Sequence, residues 1–347
     1  MLNSLKINGE YNMIKKLTFF SIALLLCLCL AETSPAAVKE KNPIEVKISS
    51  SEINPTKQEI KNLNIPELKF MGAILLSCKH PAFGGFSELM VSPDGEKFLT
   101  LSDMGFWITG NLVYDAQQKL SGIAPKAKLG RLLSISGQPF EIKYRADSEA
   151  FCRAPDSGFL IAFERKHRIN LYPGNGYDLS SVPSRYDFPP NFKHLPENGG
   201  IESMMKLDDG RILMITEGGK EDKGLSPCAI GKAGNWVPFR YKRFKTYRPT
   251  SVAQLPGKRL LLLERSYTGP GSLKVRLATL NMNDIAKDKV LESKLMANIP
   301  NTLPIDNYEG LDTRTTSAGE TIIYIISDDN FSPFEHTIMM MFKLKKG

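Results

Sequence analysis

The chain has 347 residues, of which 42% are apolar and 24% charged, and carries a formal charge of +8. That balance excludes a disordered or collagen-like chain, and the length allows a single all-β domain with a large core. The five cysteines are too few for a disulfide scaffold, and a zinc or redox site held by cysteines is not expected.

In chain order, Lys15 and Lys16 precede an apolar run over residues 17–30, followed by small residues at Ala31, Ser34, Ala36 and Ala37. This pattern predicts a secretory signal peptide over residues 1–37, with 1–12 as a candidate upstream extension before Met13. The run is short for a membrane span, so no transmembrane segment is expected in the mature chain. A lipoprotein anchor at Cys27 or Cys29 is the alternative, but neither cysteine follows the small residue such a site prefers. Residues 38–64 are polar and read as a linker or N-terminal arm. The globular domain then spans residues 65–347.

Within the domain, short apolar runs are broken by turn residues. Residues 201–207 and 211–216 flank Asp208-Asp209-Gly210, a strong hairpin signal because Gly accepts the positive φ of a tight turn. A carboxylate stands at each outer end, Glu202 and Glu217. The plan recurs from Glu88 to Asp103 and from Glu149 to Glu164, and the acids are 15 residues apart in all three copies. A degenerate copy runs from Ser251 to Glu264 and Arg265, and a longer one from Glu309 to Asp328. Starting positions are spaced by 61, 53, 49 and 58 residues. Repetition at that period, with strands and little helical pattern, predicts an all-β β-propeller. Six blades are preferred and five is the alternative, with N- and C-terminal strands pairing to close the ring. Further strands are expected at 69–77, 106–114, 130–136, 141–144, 236–241, 275–280 and 337–344. Residues 282–294 are the best helix candidate, and residues 172–199 and 218–234 read as long loops.

Motifs of common enzymes are absent: no GxSxG elbow, Walker A loop, HExxH or EF-hand. The histidines His80, His167, His194 and His336 lack metal-ligand spacing. His194 is the best exception, because it precedes the Asn198-Gly199-Gly200 approach to the central hairpin. The three cysteines beyond the leader, Cys78, Cys152 and Cys228, read as buried thiols, with one disulfide and one free thiol as the alternative. Two basic clusters stand out, residues 165–168 and 240–248. The second interleaves aromatic residues and reads either as an exposed strand or as a patch for phosphate or an acidic substrate. Nucleic acid is not an expected partner for an exported chain.

The acids then carry the site. In a propeller all blades point the same way, so Glu88, Glu149, Glu202 and Glu309 would begin inner strands, and Asp103, Glu164, Glu217, Glu264 and Asp328 would end their neighbours at the same face. Nine carboxylates would ring one channel mouth, with Arg265 among them. Such crowding is costly unless a cation, hydrogen bonds or protonation relieves it. Hard oxygen ligands suit calcium or magnesium. The plainer alternative is that the acids accept backbone N–H bonds and tie blades together.

Several motifs, taken together, resemble one family: residues 83–89 (FGGFSEL), 102–105 (SDMG), 147–150 (DSEA), 198–202 (NGGIE), 263–265 (LER), 306–310 (DNYEG) and 327–331 (SDDNF). They look like the phytase-like domain family, "esterase-like activity of phytase", over roughly residues 68–344. The resemblance implies a secreted or periplasmic propeller and a phosphoester or carboxyl ester hydrolase, with calcium as cofactor. The chain departs from the usual Gly after the acid, with Ala150 after Glu149 and Ser203 after Glu202. On the hydrolase reading, Glu202 and Glu309 are the catalytic acids. Asn198 and Asn307 would add an oxygen ligand or orient water for the substrate. Arg265 would counter charge developing on the ester. A monomer is expected. A non-catalytic propeller that binds a ligand or envelope partner is the other functional class, since propellers host both.

Overall fold

A computed structural model describes residues 42–345 apart from 62, 64, 175 and 220. The expected signal peptide lies outside the described residues. Strand β1 (Ile44–Glu52) pairs on one side with β2 (Leu68–Cys78). The following strands group into four-stranded antiparallel blades. Blade one is β3 (Phe86–Val91), β4 (Lys97–Ser102), β5 (Phe106–Tyr114) and β7 (Lys126–Arg131), with the short β6 (Leu120–Ile123) added to β5. Blade two is β8 (Ser148–Arg153), β9 (Phe159–Phe163), β10 (Arg168–Tyr172) and β11 (Ser184–Arg185). Blade three is β12 (Ile201–Lys206), β13 (Ile212–Thr216), β14 (Leu225–Lys232) and β15 (Asn235–Lys242). Blade four is β16 (Arg248–Leu255), β17 (Arg259–Ser266) and β18 (Lys274–Asn281), then β20 (Lys294–Asn298); the intervening β19 (Val290–Glu292) joins the edge of blade three. Blade five is β21 (Asn307–Thr315), β22 (Thr321–Asp328), β23 (Thr337–Leu344) and, from the other end of the chain, β2.

The innermost strands β3, β8, β12, β16 and β21 each contact the next, and β21 contacts β3, so the ring is closed. Among the described residues five blades form, and the preferred six do not. The terminal strands do pair, β2 with β23, but they complete the fifth blade and leave no strands for a sixth.

The core explains the sequence pattern. One apolar cluster lies at each of the five junctions between blades. In β17, Leu260 and Leu262 face blade three, while Leu261 and Leu263 face blade five. A strand covered on both faces reads as an unbroken apolar run and not as alternation. The same holds for β9, β13 and β22, all buried throughout.

Several local expectations change. The polar stretch 38–64 contains β1, whose other edge pairs with β7, so it joins the outer strands of blades one and five. Val46 and Ile48 are buried there while the alternate residues face out, which is why the segment looks polar. Residues 218–234 include β14, and 282–294 hold a single 3-10 turn, Met282–Asp284, followed by β19. Residues 141–144 fall at a short helix, Lys143–Ala146, and the strand expected at 130–136 is the end of β7. The three cysteines are free, Cys152 and Cys228 buried and Cys78 partly so.

Candidate active site at the channel mouth

Every inner strand carries one register shift against its neighbour: Phe86/Glu88, Ser148/Ala150, Ile201/Ser203, Pro249/Ser251 and Tyr308/Gly310. A bulge places one extra residue in the strand and re-aims its side chain. The bulged residues are therefore Ser87, Glu149, Glu202, Thr250 and Glu309. Opposite the strand starts, the second strands end at Asp103, Glu164, Glu217, Arg265 and Asp328. Their registers are fixed by Asp103 N donating to Gly85 O, Glu164 N to Asp147 O and Glu217 N to Gly200 O, and by the Arg248–Arg265 and Asn307–Asp328 pairs. The hairpin turns lie at the far end of these strands.

Two expected ligands leave the mouth on this reckoning. Ser87 holds the blade-one bulge, so Glu88 faces one step further down the channel, 2% exposed. Its Oε1 accepts from the Ser251 hydroxyl at 2.7 Å, Leu89 N at 3.0 Å and Leu311 N at 3.2 Å. Glu88 thus ties blade one to blades four and five, the alternative role the sequence left open. Glu264 sits one residue before the rim position, which Arg265 holds. It is fully buried, takes a hydrogen bond from the Tyr241 hydroxyl at 2.6 Å and pairs with Arg276 at 2.7 Å.

The remaining acids converge. Glu149 and Glu202 are half-buried and have no hydrogen-bond or ion-pair partner among the described residues. Both carboxyls are held well above their ordinary range, first by burial and then by neighbouring charge: Glu202, Asp147 and Glu309 act on Glu149, and Glu217, Glu164 and Glu309 on Glu202. Glu164 accepts from Gly200 N at 3.0 Å, and burial, with that bond opposing, pushes its carboxyl up to about 7. Asp328 is pushed up to about 9 by burial and then by Glu309. Carboxylate oxygens of Asp147, Glu149 and Glu164 lie within 4.8 Å of one another. These three belong to blade two, and the charges of Glu202 and Glu309 that act on Glu149 bring acids of blades three and five to the same space.

Cations frame the ring. Arg265 pairs with Glu309 at 3.0 Å, and Asn307 donates to Glu309 at 2.9 Å and to Asp328 at 3.4 Å. Asn307 thus orients carboxylates through its N–H groups and does not present its oxygen to them. Lys143 bonds Asp103 and, at 2.7 Å, Asp147; Arg165 also bonds Asp147. Asp103 Oδ1 is buried without a partner. Arg248 lies 3.7 Å from Glu217. Asn198 and His194 are exposed and make no hydrogen bond to these acids.

Sequence reasoning missed Asp147, Lys143 and Arg165 as site residues. Asp147 precedes the bulged Glu149 by two, as Asn307 precedes Glu309. Asp147 and Asn307 lie opposite the rim residues Glu164 and Asp328, so the D-x-E and N-x-E spacings were the available signal.

A family model described as "Phytase-like: Esterase-like activity of phytase" matches residues 81–331. The chain belongs to this family. The match takes in all five bulged positions and all five rim positions. No curated protein matches the chain. Solved structures resemble it in architecture. An endo-arabinase from Bacteroides thetaiotaomicron VPI-5482 shares 10% identity over 77% of this chain and 97% of that one, with a TM-score of 0.46. A protein of unknown function from Dyadobacter fermentans DSM 18053 shares 12% identity over 88% and 94%, with a TM-score of 0.40. A putative gluconolactonase shares 9% over 86% and 100%, with a TM-score of 0.38. These likenesses say nothing about the chemistry of the mouth. Among the described residues no helix is long and apolar enough to cross a membrane.

Proposed function

We propose that this phytase-like chain is an exported, metal-dependent hydrolase that cleaves a small phosphoester or carboxyl ester at the acidic mouth, with calcium as its ion, and that it works as a monomer. The observation that carries the reading is the pair of half-buried carboxylates, Glu149 and Glu202, with no donor to satisfy them among the described residues. Family membership supplies the reaction class, and the leader-like pattern of residues 15–37 supports export.

The donor set fits the ion: it is all oxygen, crowded, and without His or Cys, as a hard cation requires. Glu149, Glu164 and Glu202 would hold it, with Asp147 beside them and Asp103, Glu217 and Asp328 as further oxygens at the rim. A bound calcium supplies positive charge that polarises the ester oxygen. The chain's own residues do the rest. Arg265 is positioned by Glu309 to meet negative charge as it develops on the phosphoryl or carbonyl oxygen. Glu309, fixed by Asn307, takes the proton of the attacking water, and its carboxyl is held above its ordinary range by burial against the pull of Arg265.

The experiment is metal analysis of the purified protein, then a panel of nitrophenyl phosphate and carboxylate esters with calcium, magnesium and manganese. Glu202→Gln or Glu309→Gln keeps the shape and removes the charge; each should abolish turnover while the β-rich circular dichroism persists. Activity that survives both substitutions places the chemistry elsewhere. A wild-type protein inactive on every ester with every ion favours the binding propeller.

A further inference from the structure

The aromatic and basic run 240–248 is divided among three tasks. Lys242 turns outward to Glu292 at 2.8 Å. Arg243 and Arg248 donate to the carbonyls of Glu217, Gly218 and Gly219 beside the mouth. Residues 244–247 form one wall of a cavity of about 490 Å³, faced by the loop after β17 and by β18 and β20. That volume is within the range of small-molecule sites, about 300–1,000 Å³. The loops that line it leave β15 and β17 at the strand ends that carry the acidic mouth.

Electrostatically the cavity is the reverse of the mouth. Among the described residues, none that lines it is acidic. Its fixed wall is Arg276, only 4% exposed, paired with Glu264 and packed against the Phe244 ring at 4.4 Å and the Tyr247 ring at 4.7 Å. Glu264 already meets the charge of Arg276. The surplus charge comes from Lys245 and Lys274, which line the cavity and have no ion-pair partner among the described residues. Hydroxyl groups of Thr246, Ser266, Thr268 and Ser293 are among the other groups that line it. Two ammonium groups with hydroxyl donors, over a rigid stacked wall, suit a compact oxyanion.

We propose that this cavity is a binding site for a phosphate group, separate from the acidic mouth, and that it anchors inorganic phosphate or a small phosphomonoester. The test reads binding and not turnover, so it stands apart from the hydrolase reading. Wild-type protein in chelator, which keeps the mouth free of metal, is titrated calorimetrically with inorganic phosphate, with glycerol phosphate and with glycerol. Both anions should bind, glycerol should not, and affinity should fall as salt rises. A glycerol phosphate affinity above that of phosphate assigns the site to an ester; equal affinities assign it to the free anion. The K245Q/K274Q variant should bind at least tenfold more weakly with an unchanged melting temperature, because both side chains are exposed. K274Q alone carries the test if the double variant does not fold. No binding of either anion, or equal affinity in wild type and variant, overturns the proposal.

Discussion

Glu264 distinguishes a metal ligand from a structural ion pair, and the two roles have opposite consequences when it is replaced. Its carboxyl is fully buried and Arg276 is 4% exposed. Burial pushes the Glu264 carboxyl upward, with Arg276 and the Tyr241 hydroxyl opposing. Removing one partner of a buried pair leaves the other charge uncompensated, at about 3–5 kcal/mol. Glu264→Gln keeps an acceptor for Tyr241, so the loss belongs at the lower end, about 3 kcal/mol. With a urea dependence of about 3 kcal/mol per molar, the midpoint falls by about 1 M. Urea unfolding followed by the fluorescence of Trp107 and Trp236 measures it. Adding Arg276→Met removes the stranded cation and should recover part of the loss, since replacing both members of a buried pair costs less than breaking it. Calcium should stabilise Glu264→Gln as much as wild type. A Glu264→Gln midpoint equal to wild type, or a variant that has lost its calcium response, refutes the ion-pair argument.

Calcium should raise the wild-type melting temperature, by the equivalent of about 2.7 kcal/mol at one hundred times its dissociation constant. The rise should vanish in E149Q/E202Q and persist in Glu88→Gln; coincident wild-type curves in calcium and chelator remove the ion from the account. Burial pushes the Asp312 carboxyl up to about 7, against two backbone N–H bonds that pull it down. The folded state then keeps a proton that the unfolded chain releases, so this contribution to stability is present at low pH and is lost as pH rises from about 4 to about 7. Asp312→Asn, measured in chelator, should flatten the fall in stability between about pH 5 and 7; an unchanged slope contradicts the argument. Gly158 has φ +83°, and a Cβ there would meet Tyr172 O at 2.2 Å, whereas Gly257 at φ +75° opens on empty space. Gly257→Ala should therefore cost only the left-handed backbone, about 1 kcal/mol. Gly158→Ala should cost clearly more, and equal melting temperatures would show that the close approach at blade two is relieved at no cost.

The strands, their turns and the common direction of the hairpins were legible in the sequence because each rests on local physics. Asp-Gly and Pro-Gly turns bend the chain within a few residues, and a run such as Leu260–Leu263 reports burial on both faces without naming the neighbours. The 15-residue spacing of Glu149 to Glu164 and of Glu202 to Glu217 was the local sign of acids whose charges act on one another across blades. Ring size was not legible, because β2 pairs with β23 across the 258 residues between Cys78 and Thr337, and nothing near either strand records it. The place of β1 was hidden too, since its exposed alternate residues give it the composition of a linker. The same limit misplaced Glu88 and Glu264. Spacing counts residues, but facing depends on the bulge, and one extra residue in a strand of period two turns a side chain to another side. The bulge lies at Ser87 in blade one and at Glu149 in blade two, so acids with identical spacing point to different layers of the channel. That choice is made by contacts with the adjacent blades, such as Ser251 and Leu311 against Glu88, and these exist only once the ring has closed.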